Sequence, residues 1–286
     1  TKIKDLIDTN KVKFICKEVL SINTDDRAIS LRGGEKLSYT YLAVCLGART
    51  NYFNIPGLKN HSRGIIGVTD AIEINCHIDH YFQELWGKDI RKNVYINVGG
   101  GGATGVETVS ELVGAIEKIC CKYNFPLKKV NLRLIEGSDR LCALDKRGSK
   151  IILDRLKELG VKVVMNTFIT KAGKDFIEIK KDHKIKKIDS DILIWAGGAM
   201  VNPVVQKSIG DKSKRGAVLV NPYMQSFIDR NVFAAGDNAF YSDPYGQRMP
   251  MMAQAAYGQA AVVAKNILHL IKGEEMEKYR PATMRY

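Results

Sequence analysis

The chain has 286 residues, 44 Lys and Arg against 31 Asp and Glu, a net charge of +13 and an apolar share of 45%. That apolar share excludes a disordered chain, and the length leaves room for two folded domains. The basic excess favours anionic partners, yet the basic residues are dispersed and the densest runs, "LKKV" and "KKDHKIKK", lack interleaved aromatics, which argues against nucleic acid.

Along the chain, "VKFICKEVLSI" and "RAISL" read as strands flanking the polar turn "NTDD". "YTYLAVCLGA" reads as a buried strand running into Gly47, and "NYFNIPG" breaks the pattern. In "VTDAIEINCHIDHYFQELW", Ile72, Cys76, Tyr81 or Phe82 and Leu85 recur near helical spacing, with Thr69 or Asp70 as the cap. Strand and helix then alternate. "NVYINV" is a strand, and Val106, Val109, Val113, Ile116 and Cys120 form a helix stripe. "VNLRLIE" is a strand, "SKIILDRLKELG" a helix closed by Gly160, and "VKVVM" a strand. "DFIEIK", "HKIKKID" and "DILIWAGG" follow as strands. This βαβαβ run with a trailing β-meander predicts an α/β nucleotide-binding domain of about one hundred residues. "AVLV" and "NVFAAGD" read as strands. "PMMAQAAYGQAAVVAKNILHLIKG" reads as a long helix, with Pro250 in its first turn and Gly273 just past its end.

The loudest motif is "INVGGGGATGVE". Gly100, Gly102 and Gly105 fill a G-x-G-x-x-G pattern between a strand and a helix. The first glycine permits the turn, the second lets backbone approach a pyrophosphate, and the third lets helix pack on strand. The helix N-terminus adds free N–H groups and a positive dipole end. Glu136 ends the next strand, where a carboxylate accepts ribose hydroxyls and repels a 2′-phosphate, favouring NADH over NADPH. Arg133 and Arg140 flank it and keep NADPH open. Glu107, just past the glycines, reads first as a helix-start acid. Asp237 in "NVFAAGDNA" ends a strand where an Asp accepts a hydroxyl and Gly236 allows close approach.

These segments together resemble the pyridine-nucleotide-dependent FAD oxidoreductases with two dinucleotide-binding domains, and within them the type II NADH:quinone oxidoreductases. "YLAVCLGARTNYFNIPG" resembles the strand returning to FAD and the signature after it. "VGGGGATGVETVSEL" resembles the NADH cradle, with Ala103 where Pro is common. "ILIWAGGAMVNP" resembles the exit strand from the NADH domain, and "VFAAGD" the segment whose Asp binds the ribityl chain of the flavin. "AQAAYGQAAVVAKNI" resembles an Ala-Gln-x-Ala-x-Gln-Gln segment bordering flavin and quinone.

The resemblance implies two Rossmann-like, three-layer domains: a partial FAD domain from 1–90 and 198–286, lacking its first βαβ unit, and an NADH domain from 91–197. It implies hydride transfer from NADH to FAD, then reduction of a quinone. Gly47, Gly198, Gly236, Asp237 and Ala253 join Gly100, Gly102, Gly105 and Glu136 as implied cofactor-binding positions. Glu107, Gln254 and Gln259 are the implied catalytic positions, Glu107 assisting proton delivery. Gly258 departs from the pattern, standing where the first Gln of the pair is expected. Further implied are a cytoplasmic enzyme peripheral on the inner face of the cell membrane, docked through a C-terminal segment beyond this chain, and a homodimer. A nucleotide-binding module without activity, or a related flavoprotein with a non-quinone acceptor, is the alternative.

The six cysteines form no Cys-x-x-Cys pair, so no zinc ribbon or dithiol loop is predicted. Scattered as they are, they read as buried thiols of a reducing compartment, with Cys120 and Cys121 in packing roles. Glu73, Cys76, His77 and His80 fall at helical spacings, but a solvated helix face is the favoured reading over a metal site. No signal peptide or membrane-spanning run is predicted.

Overall fold

The hairpin expected around "NTDD" forms in the computed structural model, which describes residues 5–87, 92–211, 216–242, 246, 249 and 251–281. Strands β1 (Val19–Asn23) and β2 (Ala28–Leu31) pair antiparallel, and the Asn23 side-chain oxygen accepts the Asp26 N–H at 3.0 Å inside the turn. Pairing starts at Val19, and just before it the Glu18 carbonyl accepts the Arg32 N–H at 2.8 Å. Next come β3 (Lys36–Ser38), β4 (Leu42–Val44), β5 (Ala48–Thr50), α1 (Leu58–His61), β6 (Arg63–Gly64) and α2 (Val68–Leu85). Then follow β7 (Val94–Gly99), α3 (Ala103–Lys122), β8 (Val130–Ile135), α4 (Lys146–Glu158) and β9 (Lys162–Val164). A meander, β10 (Phe168–Ala172), β11 (Phe176–Lys181) and β12 (Lys184–Asp189), precedes β13 (Ile192–Trp195) and β14 (Ala199–Val201). The described remainder is α5 (Pro203–Ser208), β15 (Val218–Leu219), β16 (Val232–Ala234), β17 (Ala239–Phe240) and α6 (Ala253–Lys272). Pro250, expected in the first turn of α6, lies outside the described residues.

The chain divides into two units, one of Thr50–Ala199 and one of Thr1–Arg49 with Met200–Tyr286. In the first, five parallel strands lie in the order β6-β13-β7-β8-β9. Helices cover one face, where Ile74, Ile78 and Phe82 of α2 and Val109, Leu112 and Ile116 of α3 bury against Ile96, Val98, Leu134 and Ile194. The meander covers the other, around Ile135, Ile177, Leu193 and Trp195. Burial of both faces explains why these parallel strands read as nearly continuous apolar runs.

Helix α2 forms where periodicity put it, but its buried stripe is Ile74, Ile78 and Phe82; Ile72 is 58% exposed and Cys76 is exposed too. Two apolar rows compete on this helix, and the row that meets the sheet wins. Asp70 caps it, accepting the Gly67 and Ile66 N–H groups at 2.9 and 2.8 Å. Asn97, a polar residue in the middle of β7, faces the meander and donates through Nδ2 to the Asp189 carbonyl at 3.2 Å.

In the second unit β4 pairs parallel with β16, and β15 with β17. Its core joins Val44, Val205, Val232, Phe233 and Val263. Buried Asn266 on α6 ties down the segment after Gly273, donating to the Tyr223 and Glu277 carbonyls at 3.0 and 2.9 Å and accepting the Glu277 N–H at 2.8 Å. Gly273 ends α6 in the left-handed region, as expected. No helix among the described residues is long and apolar enough to cross a membrane.

Candidate functional site

Strand β7 ends at Gly99, the chain turns through Gly100 and Gly101, and α3 starts at Ala103 after an extended Gly102 that carries no side-chain cap. The first-turn N–H groups of α3 are therefore open to an anion. The glycines differ in what their missing side chains permit. A Cβ on Gly105 would fall 1.8 Å from the Gly100 carbonyl oxygen, so the third glycine lets the helix close on its own loop. A Cβ on Gly101 would meet Leu141 at 2.7 Å and Glu136 at 2.8 Å. At Gly102 a Cβ would meet nothing within 4 Å, so open space lies in front of the second motif glycine.

Glu136 follows β8 and reaches back to this loop. Its Oε2 accepts the Gly101 N–H, and its Oε1 accepts the Ser138 N–H at 2.7 Å. Both carboxylate oxygens are thus fixed, and each keeps lone-pair capacity for a further donor. The loop after it braces the glycines from the side. Leu141 donates its N–H to Ser149 Oγ at 2.9 Å, and Cys142 donates to the Gly101 carbonyl at 2.8 Å. Burial, then the carboxylates of Glu107 and Glu136, raise the Cys142 thiol above its usual pKa. Glu136 lines a cavity of about 460 Å³ with Gly100, Ser138, Phe53, Phe168, Trp195 and Gly197. The Trp195 ring lies where a Cβ on Gly99 or Gly197 would stand, and its indole N–H donates to the Asn51 carbonyl at 2.7 Å.

The two arginines beside Glu136 are engaged elsewhere. Arg133 stacks on Tyr95 at 4.4 Å and bonds the Asp189 carbonyl; Arg140 pairs with Asp139 at 3.4 Å. Neither lines the cavity.

Glu107 is exposed and lines a different hollow, about 400 Å³ between α2 and α3, beside Thr104, Glu111, Asn75 and Ile78. Gly198 accepts the Asn51 N–H at 3.0 Å through its carbonyl, while the preceding Gly197 lines the cavity.

The second unit holds a cavity of about 340 Å³ lined by Cys45, Gly47, Gly236, Asp237, Met252 and Ala253. Four implied cofactor positions therefore share one hollow. Burial raises the Asp237 carboxyl above the ordinary aspartate range. Gln254 is exposed on the first turn of α6, whereas Gln259 is buried and accepts the Gly236 N–H at 2.8 Å.

Six cysteines are free; Cys120 is buried, but Cys16, Cys45, Cys76 and Cys121 are exposed, against the expectation of buried thiols. Among the described residues no group of three or more His, Cys, Asp or Glu is placed to hold a metal. His80 instead lies 3.4 Å from Glu84 on the open face of α2.

Sequence reasoning did not reach Phe168, Ser138 or Gly101, and it read Trp195 only as part of the strand in "DILIWAGG". Gly101 was visible in the glycine run; the others enter only through the folding of the meander and the loop after β8.

Comparison with known proteins adds the following. The profile of the pyridine nucleotide-disulphide oxidoreductase family matches residues 3–260. The type II NADH:quinone oxidoreductase of Haemophilus influenzae is 29% identical over 265 residues, 86% of this chain and 59% of that protein. The Staphylococcus aureus protein of the same name is 26% identical over 281 residues, 97% of this chain and 69% of that protein. The chain thus spans about 59% of the length of the first of these relatives. The solved structure of NDH2 from Plasmodium falciparum in complex with NADH superimposes with a TM-score of 0.72 at 24% identity, covering 79% of this chain and 50% of that one. The sulfide:quinone oxidoreductase of Aquifex aeolicus gives a TM-score of 0.72 at 18% identity, covering 91% of this chain and 61% of that one. These likenesses establish the fold.

Proposed function

The chain belongs to the pyridine nucleotide-disulphide oxidoreductase family, and on that premise we propose that it carries the nucleotide-handling part of an FAD-dependent NADH dehydrogenase that reduces a quinone. The observation that carries this reading is the pinned carboxylate of Glu136 at a glycine cradle with an uncapped helix behind it. The names of the relatives, type II NADH:quinone oxidoreductase, support the same reading.

The residues present fit NADH. Open space at Gly102 admits a pyrophosphate against the first turn of α3, and Glu136 accepts the ribose hydroxyls while its charge turns away a 2′-phosphate. Arg133 and Arg140, engaged elsewhere, offer no phosphate clamp in the cavity. The residues also fit a flavin at Gly47, Gly236, Asp237 and Ala253, where Asp237 accepts a hydroxyl and the N-terminus of α6 favours negative charge. When bound, NADH supplies the hydride and FAD receives it and hands the electrons on. The resemblance supports proton delivery for Glu107, an exposed carboxylate in the hollow between α2 and α3, and quinone contact for Gln254, exposed on α6. A quinone acceptor places the working protein at a membrane surface, the inner face of the cell membrane in this reading.

Anaerobic absorbance of the purified chain after reconstitution with FAD tests the proposal. Flavin bands that bleach on adding NADH and recover on adding a soluble quinone are expected. Protein that stays colourless after reconstitution sinks the enzyme reading for this chain and leaves a nucleotide-binding module.

A further inference from the structure

Two buried amides lie behind the cavity of the second unit. Gln259, 2% exposed, sits on α6; Asn238, fully buried, follows Asp237. Gln259 Oε1 accepts the Gly236 N–H at 2.8 Å, and Asn238 Nδ2 donates to the Gly47 carbonyl at 3.0 Å. Gly236 and Gly47 both have φ of 63°, a region that glycine enters freely and other residues rarely do. Both glycines follow the ends of paired parallel strands, β16 and β4, and both line the cavity.

The relationship is specific. An apolar residue at either amide position would pack against the core without the cost of burying a polar group. The amides are spent on two backbone groups, one at each left-handed turn. Among the described residues Asn238 Oδ1 is buried without a partner. Helix α6 is also pressed against the loop, since a Cβ on Gly236 would approach Ala256 Cβ to 3.1 Å.

We infer that Gln259 and Asn238 are positioning residues, which lock the Gly236 and Gly47 turns and so aim Asp237 into the cavity. Gln259 then acts through the backbone and has no contact with the electron acceptor. The inference rests on the proposed flavin site only for the identity of the ligand; the two locks are features of the chain itself.

The test uses the full chain in four forms: wild type, Gln259→Leu, Gln259→Glu and Asn238→Asp. Leucine removes the acceptor for Gly236, glutamate keeps one, and aspartate removes the donor to Gly47. Two readouts are taken, hydrogen exchange at the Gly236 amide and FAD affinity in reconstitution, with far-ultraviolet circular dichroism to verify folding. Gln259→Leu is expected to speed Gly236 exchange about tenfold and to weaken FAD about tenfold, as for one lost buried hydrogen bond. Gln259→Glu, which keeps an acceptor for Gly236 but buries a carboxyl, is expected to exchange the Gly236 amide more slowly than Gln259→Leu does. Unchanged Gly236 exchange in Gln259→Leu overturns the inference, as does Gln259→Glu losing as much as Gln259→Leu. If Gln259→Leu does not fold, Asn238→Asp decides, with a loss of about tenfold in FAD affinity expected and an unchanged affinity overturning the positioning role. Wild-type protein that takes up no FAD overturns the flavin reading alone, and the exchange comparison still decides the inference.

Discussion

Glu136 Oε2 accepts the backbone N–H of Gly101, so the acid that ends one strand is tied to the glycine turn that follows its neighbour. Glu136 therefore has two duties, holding the cradle in shape and facing the cavity. Replacing it by Ala removes both. Glu136→Ala should weaken NADH by at least about tenfold, since it deletes a charged acceptor of two hydroxyls. FAD uptake, which depends on the other cavity, should be unaffected. Equilibrium titrations with each nucleotide check this, and equal weakening of both would contradict the assignment.

The cradle glycines should separate by stability. Gly105→Ala forces a methyl group onto the Gly100 carbonyl, a backbone atom with nowhere to go, and should lower the thermal midpoint clearly. Gly102→Ala points a methyl group into open space and should leave the midpoint within a degree or so, while reducing NADH affinity where the pyrophosphate would lie. Calorimetry and titration of the two variants give the comparison, and a stability loss in Gly102→Ala as large as in Gly105→Ala would contradict it.

Asp237 gives a pH prediction. Burial raises its carboxyl above the ordinary aspartate value of 3.8, so the folded chain binds that proton more tightly than the unfolded chain does. Folding stability from this group is then highest below about pH 3.8 and falls as pH rises through the folded pKa. Asp237→Asn removes the buried charge and should raise the thermal midpoint of the cofactor-free protein near about pH 7, with the gain fading below about pH 4. A midpoint that falls at neutral pH would show that the charge is compensated.

Thiol labelling checks the geometry beside the cradle. The thiolate is the reactive form, and burial together with Glu107 and Glu136 disfavours it at Cys142. Alkylation followed by peptide mapping at neutral pH should modify exposed Cys16, Cys76 and Cys121 well before Cys142. Cys142 reacting among the first would place it outside the loop described.

Much of the fold could be read from the residues because it rests on local signals. Glycines past helix ends, the strand before "GGGGATG" and the acid after "LRLI" each carry their meaning within a few positions. The failures are tertiary. Ile72 and Ile74 have equal claim to a helix stripe, and only the position of the sheet decides for Ile74. Strand β10 in "TFITKA" is short and mixed in character, and it exists because β11 pairs with it. On α6 the buried face includes Gln259 and Asn266, which an apolar stripe does not pick out because they are polar. Their burial depends on backbone groups outside the helix, Gly236, Tyr223 and Glu277, that no pattern within the helix reveals. The buried amide of Asn97 follows the same rule, since its partner is the Asp189 carbonyl at the end of the meander.

The most direct measurement is a pair of equilibrium titrations of the purified chain, one with NADH and one with NADPH. Saturable NADH binding, at least about tenfold tighter than NADPH, is the expected result for a cradle whose acid is pinned and whose neighbouring arginines are engaged elsewhere. Equal affinity for the two, or no binding of NADH, would contradict the assignment of the glycine loop and Glu136.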